Sequence, residues 1–107
     1  MNSVTAQIDQ ASAIVGLAAV HLESGASLKH NADQIFFTAS TFKVPLLVEL
    51  YKQVDAGTID LSQRIKLTEA MHSAGSGVLK EMGSGLSPTV HNLAMLMTII
   101  SDNTATD

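Results

Sequence analysis

A chain of 107 residues with 46% hydrophobic and only 15% charged side chains has the composition of a single core-forming domain, not of a disordered tail. Six Lys and Arg against ten Asp and Glu give a net charge of −4 and a sequence pI near 5.4, and no basic cluster offers a grip on a phosphate backbone, so nucleic acid is excluded as a partner. With no cysteine, disulfide frameworks, thiolate metal sites and cysteine nucleophiles are excluded as well.

The N-terminal Met1-Asn2-Ser3-Val4-Thr5 has no basic region followed by an apolar one, so no secretory signal is read there and the compartment stays open. Residues 4–13 set Val4, Ile8 and Ala11 on one face and predict a short amphipathic helix. Residues 14–22 are apolar and rich in β-branched side chains, as in a strand covered on both faces. Glu23-Ser24-Gly25-Ala26 is a turn signal, and Ser27-Leu28-Lys29-His30 reads as the returning strand. Two strands do not make a stable sheet by themselves, so this hairpin needs partners.

From Ser40 the period becomes helical. Phe42, Leu46, Leu50 and Val54 recur every fourth residue, Leu47 and Tyr51 widen the stripe, Ser40 or Thr41 can cap the start, and Gly57 stops the helix. A connector over 58–70 contains a short extended piece at Arg64-Ile65-Lys66-Leu67, and a Gly/Ser-rich, flexible stretch runs from Ser73 to Ser87. Ser87 as N-cap and Pro88 at the first position open a second helix over 88–100 that is apolar nearly all round and belongs at the centre of a bundle. Its apolar run, Leu93 to Ile100, is far short of the roughly 20 residues that span a bilayer, so no membrane span is expected. The helix breaks at Ser101-Asp102-Asn103, and Thr104 to Asp107 can begin another.

Two motifs carry chemistry. In Ser40-Thr41-Phe42-Lys43 at a helix start, Ser and Lys three apart share a face, so an uncharged Lys43 would take the Ser40 proton and make the hydroxyl a nucleophile. The helix N-terminus supplies partial positive charge for a nascent oxyanion. Chance supplies about 0.5 Ser-x-x-Lys matches in such a chain, and an N-cap serine beside a solvated lysine is the competing account. Ser101-Asp102-Asn103 arises by chance only about 0.02 times, its competing account being an Asx-rich turn. If that loop folds back on the Ser40 helix, Ser101 can relay a proton to a leaving nitrogen and Asn103 can hold Lys43 and a substrate amide.

With Phe37-Thr38-Ala39-Ser40-Thr41-Phe42-Lys43, Ser101-Asp102-Asn103-Thr104-Ala105 and the intervening Gly75-Ser76-Gly77-Val78-Leu79, the chain resembles the class A serine β-lactamases and the penicillin-binding transpeptidases related to them. The resemblance implies an α+β fold, with residues 1–37 as the N-terminal part of a sheet domain and 38–107 as the first part of a helical domain. It implies a β-lactam or peptidoglycan-like substrate that acylates Ser40, with Lys43 as proton acceptor and Ser101 as proton relay. Asn103 would bind the substrate and Asp102 would organise the loop. A D-Ala-D-Ala peptidase, a non-hydrolysing penicillin sensor and an inactive structural fragment are the alternatives, and family members are usually periplasmic or secreted. The family also has a later glutamate loop and a Lys-Thr-Gly strand, so a chain that stops four residues past Asn103 is expected to be truncated, about two-fifths of a roughly 250-residue domain. Such a fragment should not turn over substrate, since losing one oxyanion donor costs about 10²–10³ in rate. It should associate with its missing half or with itself. No metal or other cofactor is expected, because His21, His30, His72 and His91 are scattered and read as surface or hydrogen-bonded residues. Met71, Met82, Met95 and Met97 read as core fillers.

Overall fold

The computed structural model describes residues 3–107, which divide into two units, one ending at Phe37 and the other running from Thr38 to Asp107. In the first unit, helix α1 covers Ser3–Asp9, shorter than the 4–13 that periodicity predicts, and strands β1 (Leu17–Val20) and β2 (Ser27–His30) pair antiparallel from Leu17↔His30 to Val20↔Ser27. The hairpin turn is closed by the His21 N–H on the Ala26 carbonyl and the Gly25 N–H on the His21 carbonyl, both 2.8 Å, with Gly25 at φ +69° where a side chain would be strained. At the other end the Asn31 amide donates to the Val15 carbonyl at 2.9 Å. A Cβ at Gly16 would overlap the exposed Phe36 ring, which would have to shift. The first strand is not covered on both faces. Leu17 is half-buried, Ala18 to Val20 are exposed, and Leu22, Ile35 and Phe37 are all more than 90% exposed.

The second unit is built on two helices, α2 (Lys43–Asp55) and α3 (Val90–Ile99), which pack on each other. Leu47, Leu50 and Val54 give α2 its half-buried stripe, and its C-terminus is closed as predicted, the Gly57 N–H donating to Val54 with Gly57 at φ +72°. The start differs from expectation. Ser40 caps nothing and lies inside a 3₁₀ turn, Ala39–Phe42, that leads into α2. Between the helices, residues 61–67 run antiparallel to 85–91. The Ile65 N–H donates to Pro88 O at 2.9 Å, Leu67 to Leu86 O at 2.8 Å and Gly85 back to Leu67 O at 2.9 Å.

This pairing explains why α3 starts later than Ser87-Pro88 suggests. The Ser87 and Pro88 carbonyls are held by Arg64 and Ile65, so the chain stays extended until Thr89. Thr89 is the N-cap, its hydroxyl accepting from the Asn92 N–H at 3.1 Å while the Asn92 carbonyl accepts from the Thr89 N–H at 3.2 Å. Nor is α3 buried all round. Ala94 and Met97 are buried and, with Leu67 and Leu79, form the core, whereas Met95, Ile99 and Ile100 are exposed. Met71 and Met82 are exposed as well, so of the four methionines among the described residues only Met97 fills the core as expected. Among the described residues no helix is long and apolar enough to cross a membrane.

Candidate active site

Three short segments of the second unit meet at the start of α2. Ser40 is presented by the 3₁₀ turn, directly after Ala39, which sits at φ +46°. Lys43 is the first residue of α2 and only 6% exposed. Ser101 follows the end of α3 at φ +57°, a left-handed position usually taken by Gly or Asn, at a cost of about 1–2 kcal/mol for a side chain with Cβ. That conformation turns both the carbonyl and the hydroxyl of Ser101 toward Lys43.

Lys43 Nζ lies 2.8 Å from Ser101 O, 2.9 Å from Ser101 Oγ and 2.8 Å from Asn103 Oδ1. Ser101 Oγ lies in turn 2.9 Å from Ser40 Oγ. All four residues named from the sequence therefore come together, but not with the contact the Ser-x-x-Lys spacing suggests. The amine reaches the Ser40 hydroxyl through Ser101, because all three of its hydrogen-bonding directions are taken by the 101–103 loop. Two of those partners, a peptide carbonyl and an amide oxygen, can only accept; the third, a hydroxyl, can accept or donate.

The loop is held by Asp102, whose side chain is fully buried. Its Oδ2 accepts from the Val78 and Leu79 N–H groups at 2.7 and 3.0 Å, and its Oδ1 from Ala105 at 3.1 Å. Burial by itself pushes this carboxyl up, but the backbone N–H groups of Leu79, Val78, Ala105 and Thr104 together outweigh it and hold the group below its ordinary value. Asn103 is pinned on three sides. Its Nδ2 donates to Ala74 O at 2.7 Å, its N–H to Ser76 O at 2.9 Å, and its Oδ1 accepts from Lys43. The glycines between are close-approach positions and not a flexible connector. Gly77, at φ +120°, leaves room for the Asp102 carboxylate, which a Cβ would overlap, and a Cβ at Gly75 would come within 2.7 Å of Asn103 Nδ2. The spacing of Gly75 and Gly77 just before Val78-Leu79 is the sequence signal for this contact, legible only once the partner loop is known.

An open cleft of about 390 Å³ lies beside Ser40, lined by Thr41, Lys43, Val44, Met97 and Ser101 among others. His72 departs from the expectation of a surface or hydrogen-bonded histidine: its Nε2 is buried without a hydrogen-bond partner among the described residues. No group of three or more His, Asp or Glu able to hold a metal ion is found among them either.

Fold and site together define an α+β protein of the β-lactamase/transpeptidase class. The chain belongs to the β-lactamase enzyme family, whose match extends over residues 1–107. It is 40% identical to a β-lactamase from Sphaerobacter thermophilus, with a TM-score of 0.87 over 97% of this chain and 39% of that one. It is 34% identical to PBP-A, with a TM-score of 0.88 over 97% of this chain and 40% of that one. A point mutant of PBP-A, solved as its acyl-enzyme complex with penicillin G, is 40% identical with a TM-score of 0.80, over 85% of this chain and 34% of that one. The chain thus spans about two-fifths of the length of these solved relatives. Among curated proteins, no sequence match was found.

Proposed function

We propose that this chain carries the nucleophile half of a serine β-lactamase, with Ser40 acylated by the β-lactam carbonyl. The observation that carries the reading is the continuous relay Ser40 Oγ–Ser101 Oγ–Lys43 Nζ, each step 2.9 Å. As Ser40 Oγ attacks the carbonyl carbon, its proton passes to Ser101 and the Ser101 proton to the Lys43 lone pair. As the C–N bond breaks, Ser101 donates its proton to the departing nitrogen and is reprotonated from Lys43. The products are an ester on Ser40 and an opened ring bearing N–H, with no net change at Ser101 or Lys43. The partial positive charge at the start of α2 favours the oxyanion formed on the way. Asn103 holds the amine in place through Oδ1 and keeps one Nδ2 hydrogen for a substrate carbonyl.

The likeness to PBP-A, a mutant of which was solved as its acyl-enzyme with penicillin G, supports a second reading, a penicillin-binding protein that is acylated; a D-Ala-D-Ala peptide as its substrate is what the family resemblance implies. The exposed Leu22, Ile35 and Phe37 of the first unit support cover by further polypeptide, whether a second copy or another segment.

Intact mass spectrometry after incubation with penicillin G, beside a Ser40→Ala variant, tests the acyl-serine step. An adduct on the wild type alone is the expected result; no adduct, or equal labelling of both, overturns it. Decay of the adduct with release of opened penicillin favours the lactamase, and a persistent adduct favours the penicillin-binding protein.

A further inference from the structure

The segment Ala74–Leu79 is stitched to the site loop almost residue by residue. Ala74 and Ser76 hold Asn103 through their carbonyls, while Val78 and Leu79 hold Asp102 through their N–H groups. Gly75 is the exception. Its carbonyl, between the two that grip Asn103, is turned to Lys80, whose amine donates to it at 2.6 Å. With Gly75 at φ +96° and Gly77 at φ +120°, this stretch has little backbone preference of its own, so its course depends on such anchors.

We propose that Lys80 is a positioning residue for Asn103, and through Asn103 for the Lys43 amine; its catalytic consequence rests on the acyl-serine reading above. Three observations support it. First, Lys80 is itself fixed: it lies in a 3₁₀ turn, Leu79–Glu81, whose Leu79 is buried and whose N–H is bound to Asp102. Second, its side chain is only 28% exposed, so it is held against the protein rather than swinging in solvent. The competing partner, Glu81, is exposed and 3.7 Å away, so the Gly75 carbonyl is the tighter contact. Third, the Asn103 amide faces Gly75 closely enough that a Cβ built there would come within 2.7 Å of its Nδ2, so neither can move into the space of the other. A shift of Gly75 therefore displaces the amide whose oxygen holds Lys43 at 2.8 Å.

The test uses the ¹⁵N-labelled full chain as wild type, Lys80→Met and Lys80→Arg. In Lys80→Met the Asn103 side-chain amide resonances shift and the Asn103 backbone N–H exchanges about tenfold faster, the worth of one charge-assisted hydrogen bond. Val78 and Leu79, held by Asp102, keep their protection, and Lys80→Arg restores the Asn103 signals. The rate of labelling by a fluorescent penicillin falls about tenfold in Lys80→Met and recovers in Lys80→Arg. Unmoved Asn103 signals, equal behaviour of the two variants, or protection lost at Val78 and Leu79 as well would each overturn the positioning role. A wild type that takes no label refutes the acyl-serine reading alone, and the resonance comparison then still decides whether Lys80 sets Asn103.

Discussion

Asp102→Asn removes one charge and changes almost no volume, so its effect isolates what the buried carboxylate does. In the native site the N–H groups of Val78, Leu79 and Ala105 are hydrogen-bonded to it, and that of Thr104 adds to its electrostatic hold. An amide can keep its oxygen at the Oδ2 position and go on accepting from Val78 and Leu79, but its NH₂ then faces the Ala105 N–H. One bond to a charged acceptor, about 1.5–3 kcal/mol, is lost, and the other two fall to the neutral range of about 0.5–1.5 kcal/mol each. No longer having to bury a charge offsets part of this, leaving a destabilisation of roughly 3 kcal/mol. Native-state hydrogen exchange at Val78, Leu79 and Ala105 should then accelerate about a hundredfold. The pH dependence supplies a second reading of the same group. Because the native carboxyl is held below its ordinary value, its contribution is complete above about pH 4 and is lost as the pH falls through the lowered native value. Wild type should lose protection at Val78, Leu79 and Ala105 on that acid limb, and the Asn variant should keep only the shallower dependence contributed by the exposed Glu49 and Asp60. Exchange rates within threefold of wild type, or the same acid limb in both proteins, would refute the account of Asp102 as the loop's anchor.

Four further outcomes follow from the same geometry. Gly77→Ala should cost more than about 3 kcal/mol in guanidinium unfolding, because strain at φ +120° adds to overlap with the Asp102 carboxylate. Gly85→Ala, at φ +93° with nothing within 4 Å of its Cβ, should cost only the backbone strain of about 1–3 kcal/mol. Ser101→Ala keeps the backbone carbonyl that holds Lys43 but removes the bridging hydroxyl, so the acylation rate by a fluorescent penicillin should fall about 10²–10⁴-fold. Thr89→Ala loses the acceptor of the Asn92 N–H and should lower stability by about 1 kcal/mol in thermal unfolding.

Much of this protein is decided by local chemistry and can be read along the chain. The period of Leu46, Leu47, Leu50 and Val54 marks α2, Gly57 ends it, and the returning strand at Ser27–His30 falls where the turn signal before it puts it. Ser40, Lys43, Ser101 and Asn103 could be singled out along the chain because a common Ser-x-x-Lys spacing is followed by the rare run Ser101-Asp102-Asn103. Where the reading failed, a distant partner overrode a local preference. Ser87-Pro88 looks like a helix start, yet the carbonyls of both residues are held by Arg64 and Ile65, so Thr89 takes the cap. Ser40 and Lys43 look like a direct pair, yet Lys43 spends its hydrogen bonds on residues 58 and 60 positions away. The glycines at 75 and 77 look like slack in a linker, yet they are the space that Asp102 and Asn103 occupy. Periodicity and capping act over a turn or two of chain, and those the sequence determines by itself; the relay through Ser101, the buried carboxylate of Asp102 and the clamp on Asn103 depend on atoms brought together only when the two loops fold onto α2, and only the tertiary structure decides them.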